Sequence, residues 1–182
     1  KSGQLGGQLN LATIPPHREE VANLTKYLGI QIQKLGVKVN LGVEVSAALI
    51  AKEKPEVVIV AAGASPLIPS KIPGINLPHV VTSWDVLNGK VSSIGKRVFV
   101  AGGGEVGCEV AEFLAEKDHE VTIGEMLPVI GNIMEPNNKR YIMQRLKKLQ
   151  VNMLTNTKLT RIEKGKVTLQ DFGKEWTIPC DS

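Results

Sequence analysis

Cysteine is nearly absent: Cys108 and Cys180, far apart and in unlike settings, are the only two. That excludes a disulfide framework, a C-x-x-C redox pair and a thiolate metal cluster, and no metal ligands are expected. It also points to a reducing, cytoplasmic setting. Aromatics are few, with three Phe, two Tyr and two Trp, too few for base-stacking platforms. The 22 Lys and Arg are interleaved with 18 Asp and Glu, and no block of like charge forms, so the net charge of +4 reads as a solvated mixed surface. No run approaches the ~18 apolar residues of a membrane span, and no secretory signal is present. Nucleic acid and membrane are therefore not expected partners. The opening "KSGQLGG" has no Met and reads as the start of a fragment of something longer. What is present is 42% apolar residue over 182 positions, enough for one ordinary domain or two small ones.

Periodicity supplies the elements. Val21, Leu24, Leu28, Ile32 and Leu35 recur at helical spacing, with Gly36 as a stop. Val37–Gly42 reads as a short strand, and Ser46 caps a short helix through Lys52 that Pro55 ends. "VVIVAAG", Val57–Gly63, is apolar without alternation, as in a strand buried on both faces of a parallel sheet. Pro66, Pro69 and Pro73 make Ala64–Gly74 a loop or domain crossing. A turn of helix is expected around Ser83–Leu87. Strand, helix, strand, helix and strand then follow at Val98–Ala101, Glu105–Lys117, Glu120–Ile123, Pro136–Leu149 and Val151–Leu154. This alternation predicts an α/β fold, a doubly wound, Rossmann-like parallel sheet. "KLTRIEKGKVTLQDFGKEWTI" instead alternates between faces, with turns at Lys164-Gly165 and Phe172-Gly173, and predicts an antiparallel meander.

The stretch "VFVAGGGEVGCEVAEFLAEKDHEVTIGE" carries the chemistry. Gly102, Gly104 and Gly107 fit G-x-G-x-x-G: a tight turn out of the strand, a close backbone approach to a pyrophosphate, and close packing of helix on sheet. The helix opening at Glu105 and Val106 presents its first N–H groups to the phosphates. Glu125 ends the second strand 18 residues beyond Gly107, where a carboxylate accepts hydrogen bonds from a ribose diol and repels a 2′-phosphate. The expected ligand is NAD(P)H, NADH favoured, with NADPH left open because Lys139 or Arg140 lies near enough in sequence to fold over a phosphate. The alternatives are a structural turn and an exposed strand-end glutamate.

"LGGQLNLA" (Leu5–Ala12) and "VVIVAAGASPLIPSKIPG" flank that site. With them the sequence resembles the pyridine-nucleotide-disulfide reductase superfamily, in which an NAD(P)H fold is inserted in an FAD fold. More narrowly, "KSGQLGGQLNLA", "HREEVANLTKYL", "VIVAAGASPLIPSKIPG", "TSWDVLNGK" and "IPCDS" resemble the C-terminal part of the 2,4-dienoyl-CoA reductase, 2-enoate reductase and trimethylamine dehydrogenase group of the old yellow enzyme class. The resemblance implies that Gly6, Gly7, Gln8 and Leu9, with Ala62 and Gly63, face FAD, and that Gly102, Gly104, Gly107 and Glu125 face the nicotinamide nucleotide. It implies a partial FAD-binding domain at 1–74, truncated at its N-terminus, an NAD(P)-binding domain at 75–178, and a return toward the FAD domain at 179–182. A barrel with FMN and a four-iron cluster would lie upstream as a partner domain of the same chain. This piece is then expected to retain little or no FAD and to be inactive alone. Where relatives carry a bulkier apolar residue, Gly124 stands here, and a looser turn before Glu125 is expected.

The implied activity is hydride transfer from NAD(P)H to FAD, feeding reduction of an enoate or dienoyl-CoA type substrate. A trimethylamine-dehydrogenase-like fold holding ADP structurally is one alternative, a nucleotide-sensing or docking module without flavin another. No catalytic side chain is expected, since cofactors carry such chemistry. His17, His79 and His119 lack partners at motif spacing and read as surface or loop residues. Ser65 and Ser83 lack a G-x-S-x-G setting. Cys108 opens the fingerprint helix, where a helix N-terminus can lower a thiol pKa, yet packing is the commoner use. Trp84 and Trp176 read as packing residues, and homo-oligomerisation is left open.

Overall fold

The computed structural model describes residues 2–182 and divides into two compact units, one ending at Ser65 and the other spanning Pro66–Ser182. The first unit carries helices α1 (Leu9–Ala12), α2 (Val21–Lys34) and α3 (Ala47–Glu53). Helix α2 ends as its glycine foretells: Gly36 adopts φ +69°, Val37 N–H returns to Ile32 O and Gly36 N–H to Gln33 O. This is the Schellman arrangement, which a left-handed residue just past the helix permits. Ser46 caps α3 by accepting from Leu49 N–H at 3.2 Å, as expected.

Two expected strands do not form. Val37–Gly42 and Val57–Gly63 are without strand structure, and no strand is found among the described residues of this unit. Far from being buried on both faces, Val57, Ile59 and Val60 are 76%, 87% and 84% exposed. A parallel strand exists only through hydrogen bonds to neighbours, so apolar β-branched composition cannot make one where no neighbour pairs with it. The apolar stripe of α2 is only partly covered, with Val21 and Ile32 half-buried and Leu24, Leu28 and Leu35 exposed.

The second unit contains α4 (Ser83–Leu87) and then the alternation read from the sequence. Strands β1 (Arg97–Ala101), β2 (Glu120–Gly124) and β3 (Asn152–Leu154) form a parallel sheet in that order, linked by α5 (Glu105–Ala115) and α6 (Pro136–Lys148). Its core is made of Val98, Val121 and Ile123 from the strands, Cys108, Ala111 and Leu114 from α5, and Ile142 and Leu146 from α6. The i, i+3 and i, i+4 spacings put each helical set on one face. Proline stands in the first turn of α6, and the Glu135 carboxylate caps it by accepting from Asn137 N–H at 2.9 Å and Asn138 N–H at 3.0 Å. The backbone hydrogen bonds from Asn138 and Asn137 hold the Glu135 pKa below its ordinary value. Between the helices, the Arg145 guanidinium reaches the Glu112 carboxylate, which is only 1% exposed.

An antiparallel sheet follows from β4 (Lys158–Glu163), β5 (Lys166–Asp171) and β6 (Lys174–Pro179), with Gly165 at φ +81° and Gly173 at φ +83° in its turns. Ile162, Val167, Leu169 and Cys180 form a second core, joined by Ile72 from the end of the crossing, by Ile75, Leu77 and Val80 just after it, and by Phe99 from β1. The crossing is seated closely there: a Cβ on Gly74 would come 2.0 Å from Ile162 O, and Ile162 N–H donates to Pro73 O. Residues 180–182 run along the outer edge of β1, Asp181 N–H donating to Arg97 O and Phe99 N–H to Ser182 O. The Asp181 carboxylate accepts from Arg97 N–H at 2.9 Å, Nε at 3.2 Å and Nη2 at 2.5 Å. These bonds lower its pKa to about 2 and raise that of Arg97. Among the described residues no helix is long and apolar enough to cross a membrane.

Candidate functional site

The glycine turn joins the carboxyl end of β1 to α5, at the edge of the sheet where open α/β folds bind ligands. Gly102 leaves the strand at φ +103°, a left-handed conformation that glycine adopts without cost. Its N–H donates to Gly124 O at 2.8 Å, tying the turn to β2. Gly107 sits so close behind that a Cβ would stand 2.0 Å from Gly102 O. Gly104 differs from both. Its backbone is extended (φ −73°, ψ −173°), and a Cβ there would meet nothing within 4 Å. Space is therefore open directly before the first turn of α5, where Glu105 and Val106 are exposed.

Glu125 follows β2, and both of its carboxylate oxygens accept a backbone hydrogen bond. Oε2 accepts from Gly103 N–H at 2.7 Å and Oε1 from Leu127 N–H at 2.8 Å. An ionised carboxylate offers about four acceptor positions, so room remains for two hydroxyl donors. Its orientation is thus set by the turn it serves. Gly124 does not loosen that turn. It is buried, pairs with Ala101 and Leu154, and leaves room for the Phe99 ring, whose Cζ would lie 2.4 Å from a Cβ at this position.

The other residues singled out in the sequence fall as follows. Cys108 is fully buried, and burial, together with the Glu109 carboxylate, pushes its thiol up to about 11, which excludes a thiolate at neutral pH. Cys180 is buried too, and burial raises its pKa. Lys139 packs its stem near Gly131, while Arg140 is exposed. His119 Nδ1 lies 2.8 Å from Gly95 O, His17 is exposed, and His79 is half-buried with Nε2 unpartnered among the described residues. A cavity of about 520 Å³ lies at the opposite, amino end of the strands, lined by Arg97, His119, Glu120 and Asn152, away from the glycine turn.

In the first unit the loop at Gly6–Leu9 and the chain at Gly63, read from the sequence as facing FAD, meet through the Gln8 side chain. Gly6 (φ +104°) and Gly7 (φ +51°) begin the turn into α1, and a Cβ on Gly6 would strike Asn10 Oδ1 at 2.4 Å. Gln8 Nε2 donates to Ala64 O at 3.0 Å and would lie 2.8 Å from a Cβ on Gly63, which holds φ +73°. Leu9 starts α1 and Ala62 is exposed. What sequence reasoning missed is the segment after Glu125. Gly131 N–H donates to Gly103 O at 2.7 Å, and Ile130 is buried against Gly103. The signal available was Gly131 itself, set in the largely apolar stretch "MLPVIGNIM" that follows Glu125.

Comparison with known proteins gives the family. The sequence profile described as pyridine nucleotide-disulphide oxidoreductase matches residues 18–182. A bilirubin reductase of Mediterraneibacter gnavus (strain CC55_001C) is 39% identical over 181 residues, covering 100% of this chain and 28% of the relative. An NADH oxidase of Thermoanaerobacter brockii is also 39% identical over 181 residues, covering 94% of this chain and 28% of the relative. The structure of a 2-naphthoyl-CoA reductase in complex with 2-naphthoyl-CoA superposes with a TM-score of 0.92 at 34% identity, over 100% of this chain and 27% of that one. The chain thus spans under a third of the length of each.

Proposed function

Because the chain belongs to the pyridine nucleotide-disulphide oxidoreductase family, we propose that its second unit binds a nicotinamide dinucleotide, NADH in preference to NADPH, for a flavin-dependent oxidoreductase. The observation that carries this is the open space at Gly104 before the first turn of α5, with the Glu125 carboxylate hydrogen-bonded to the N–H of the adjacent Gly103. Gly102, Gly104, Glu105, Val106 and Gly107 form the phosphate cradle, where the N-terminus of α5 offers N–H groups and a positive dipole end. Glu125 keeps acceptor capacity for the two ribose hydroxyls, and its negative charge repels a 2′-phosphate. Gly6, Gly7, Gln8, Leu9, Ala62 and Gly63 form the flavin-side wall, with the Gln8 side chain holding the loop to the backbone at Ala64.

When bound, the nicotinamide supplies a hydride and FAD accepts it. This chain's residues contribute placement: the pinned turn fixes the diphosphate, and Glu125 fixes the adenosine ribose. The same reading assigns residues 1–74 to the FAD side and 75–178 to the NAD(P)H side, with 179–182 beginning the return. It assigns the reduction itself, of an enoate or dienoyl-CoA type substrate, to a barrel domain with FMN and a four-iron cluster in the longer protein. The support for that substrate class is the 34%-identical reductase, whose structure contains an aromatic acyl-CoA.

Titration with NADH, NADPH and ADP, followed by calorimetry, tests the proposal. NADH binding tighter than NADPH is expected. Binding of ADP alone would favour a purely structural adenylate site, and binding of none at millimolar concentration would overturn the nucleotide reading.

A further inference from the structure

The glycine turn is held from outside the fingerprint. Gly103 is buried, and both hydrogen-bonding groups of its backbone are engaged by the segment that follows β2. Its N–H donates to Glu125 Oε2, and its carbonyl accepts from Gly131 N–H, each at 2.7 Å. The Gly103 carbonyl and the Gly104 N–H belong to one peptide unit. That unit is planar and trans, as no peptide bond among the described residues is cis, so its N–H points opposite to its C=O. Holding the carbonyl toward Gly131 therefore turns the Gly104 N–H away from Gly131, at the residue that faces open space.

Gly131 is itself a built position rather than a loose loop residue. It holds φ +65°, and a Cβ would lie 2.5 Å from Met134 Sδ. Ile130 and Met134 on either side are 3% and 7% exposed, and Met134 N–H returns to Gly131 O at 3.2 Å. Ile130 also covers Gly103, its Cγ1 standing 3.1 Å from where a Cβ on that residue would be. Anchors on both sides thus deliver the Gly131 N–H to one carbonyl of the turn.

We propose that Gly131 is a positioning residue of the nucleotide site, orienting the Gly104 amide for the diphosphate shared by NADH and ADP. The inference rests on the nucleotide-binding reading above. In Gly131→Ala, the side chain strains the left-handed backbone and meets Met134, so the hydrogen bond to Gly103 is lost. Loss of one such bond predicts about tenfold weaker binding, by the same factor for NADH and for ADP. Ile130→Ala, which removes the anchor and leaves Gly131 in place, shifts both affinities in the same direction. Gly173→Ala is the control: it imposes the same kind of strain at φ +83° in the meander turn, in open space, and leaves both affinities unchanged.

Calorimetric titration of the four proteins reads the result. A folded Gly131→Ala or Ile130→Ala that binds NADH and ADP within twofold of the parent overturns the inference. A parent chain that binds neither ligand overturns the nucleotide reading instead. Amide exchange on the parent chain keeps the test independent of variant folding. A protected Gly131 amide, with the Gly104 amide resonance shifting on addition of ADP, supports the clasp; an unprotected Gly131 amide rejects it.

Discussion

Gly104→Val separates binding from folding. Gly104 has extended backbone that any residue adopts, and a Cβ there meets nothing within 4 Å. As an N-cap without a side-chain hydrogen bond it gives up little, so the substitution costs about 0.5–1 kcal/mol, or about 1–4 °C in Tm for a chain of this size. The branched side chain then fills the space before α5 and keeps a diphosphate from the helix N-terminus. Losing one or two charge-assisted hydrogen bonds of about 1.5–3 kcal/mol weakens NADH by about 10- to 150-fold or more. Gly107→Ala makes the opposite case. Its Cβ would stand 2.0 Å from the Gly102 carbonyl oxygen, a backbone atom that cannot swing aside, so α5 must retreat from β1. Overpacking of that kind costs about 1–3 kcal/mol and about 2–12 °C in Tm. Thermal unfolding by circular dichroism and calorimetric titration with NADH measure the two effects on the same samples. A Gly104→Val protein that binds NADH within threefold of the parent, or that melts as low as Gly107→Ala, would refute the reasoning.

Three further outcomes are expected. Glu125→Ala leaves the Gly103 and Leu127 N–H groups without their acceptors, costing about 1–3 kcal/mol of stability in urea unfolding; it weakens NADH more than NADPH, and an equal loss for both contradicts the ribose assignment. Arg145→Ala strands the buried Glu112 carboxylate and costs about 3–5 kcal/mol by the same assay, whereas replacing both partners by apolar residues recovers most of it. Asp181, held at about 2 by Arg97, has a folded pKa below its unfolded one, so its stabilisation is present above pH ~4 and fades as pH falls toward ~2. Asp181→Asn should therefore flatten the stability profile across that acid window, and an unchanged slope there would show that the ion pair contributes nothing.

Much of the second unit was legible because its signals are local. Gly102, Gly104 and Gly107 are spaced for a turn that any chain can make within a few residues, and Glu125 closes a strand of ordinary length. The meander turns at Gly165 and Gly173 and the proline at the start of α6 likewise act through their own backbone. Val57–Gly63 shows where such reasoning stops. Its composition is that of a buried strand, but strand structure is a relation between segments, and its backbone finds no pairing segment among the described residues.

What the sequence by itself determined is the nucleotide fingerprint and the order of elements around it, since spacing along the chain is enough to specify both. Tertiary structure alone decided that Gly124 makes room for Phe99, that Glu125 spends part of its carboxylate on the turn it adjoins, and that Gly131 reaches back to Gly103. These contacts depend on which backbone groups are brought face to face when β1 and β2 pair, and no periodicity in the chain records that.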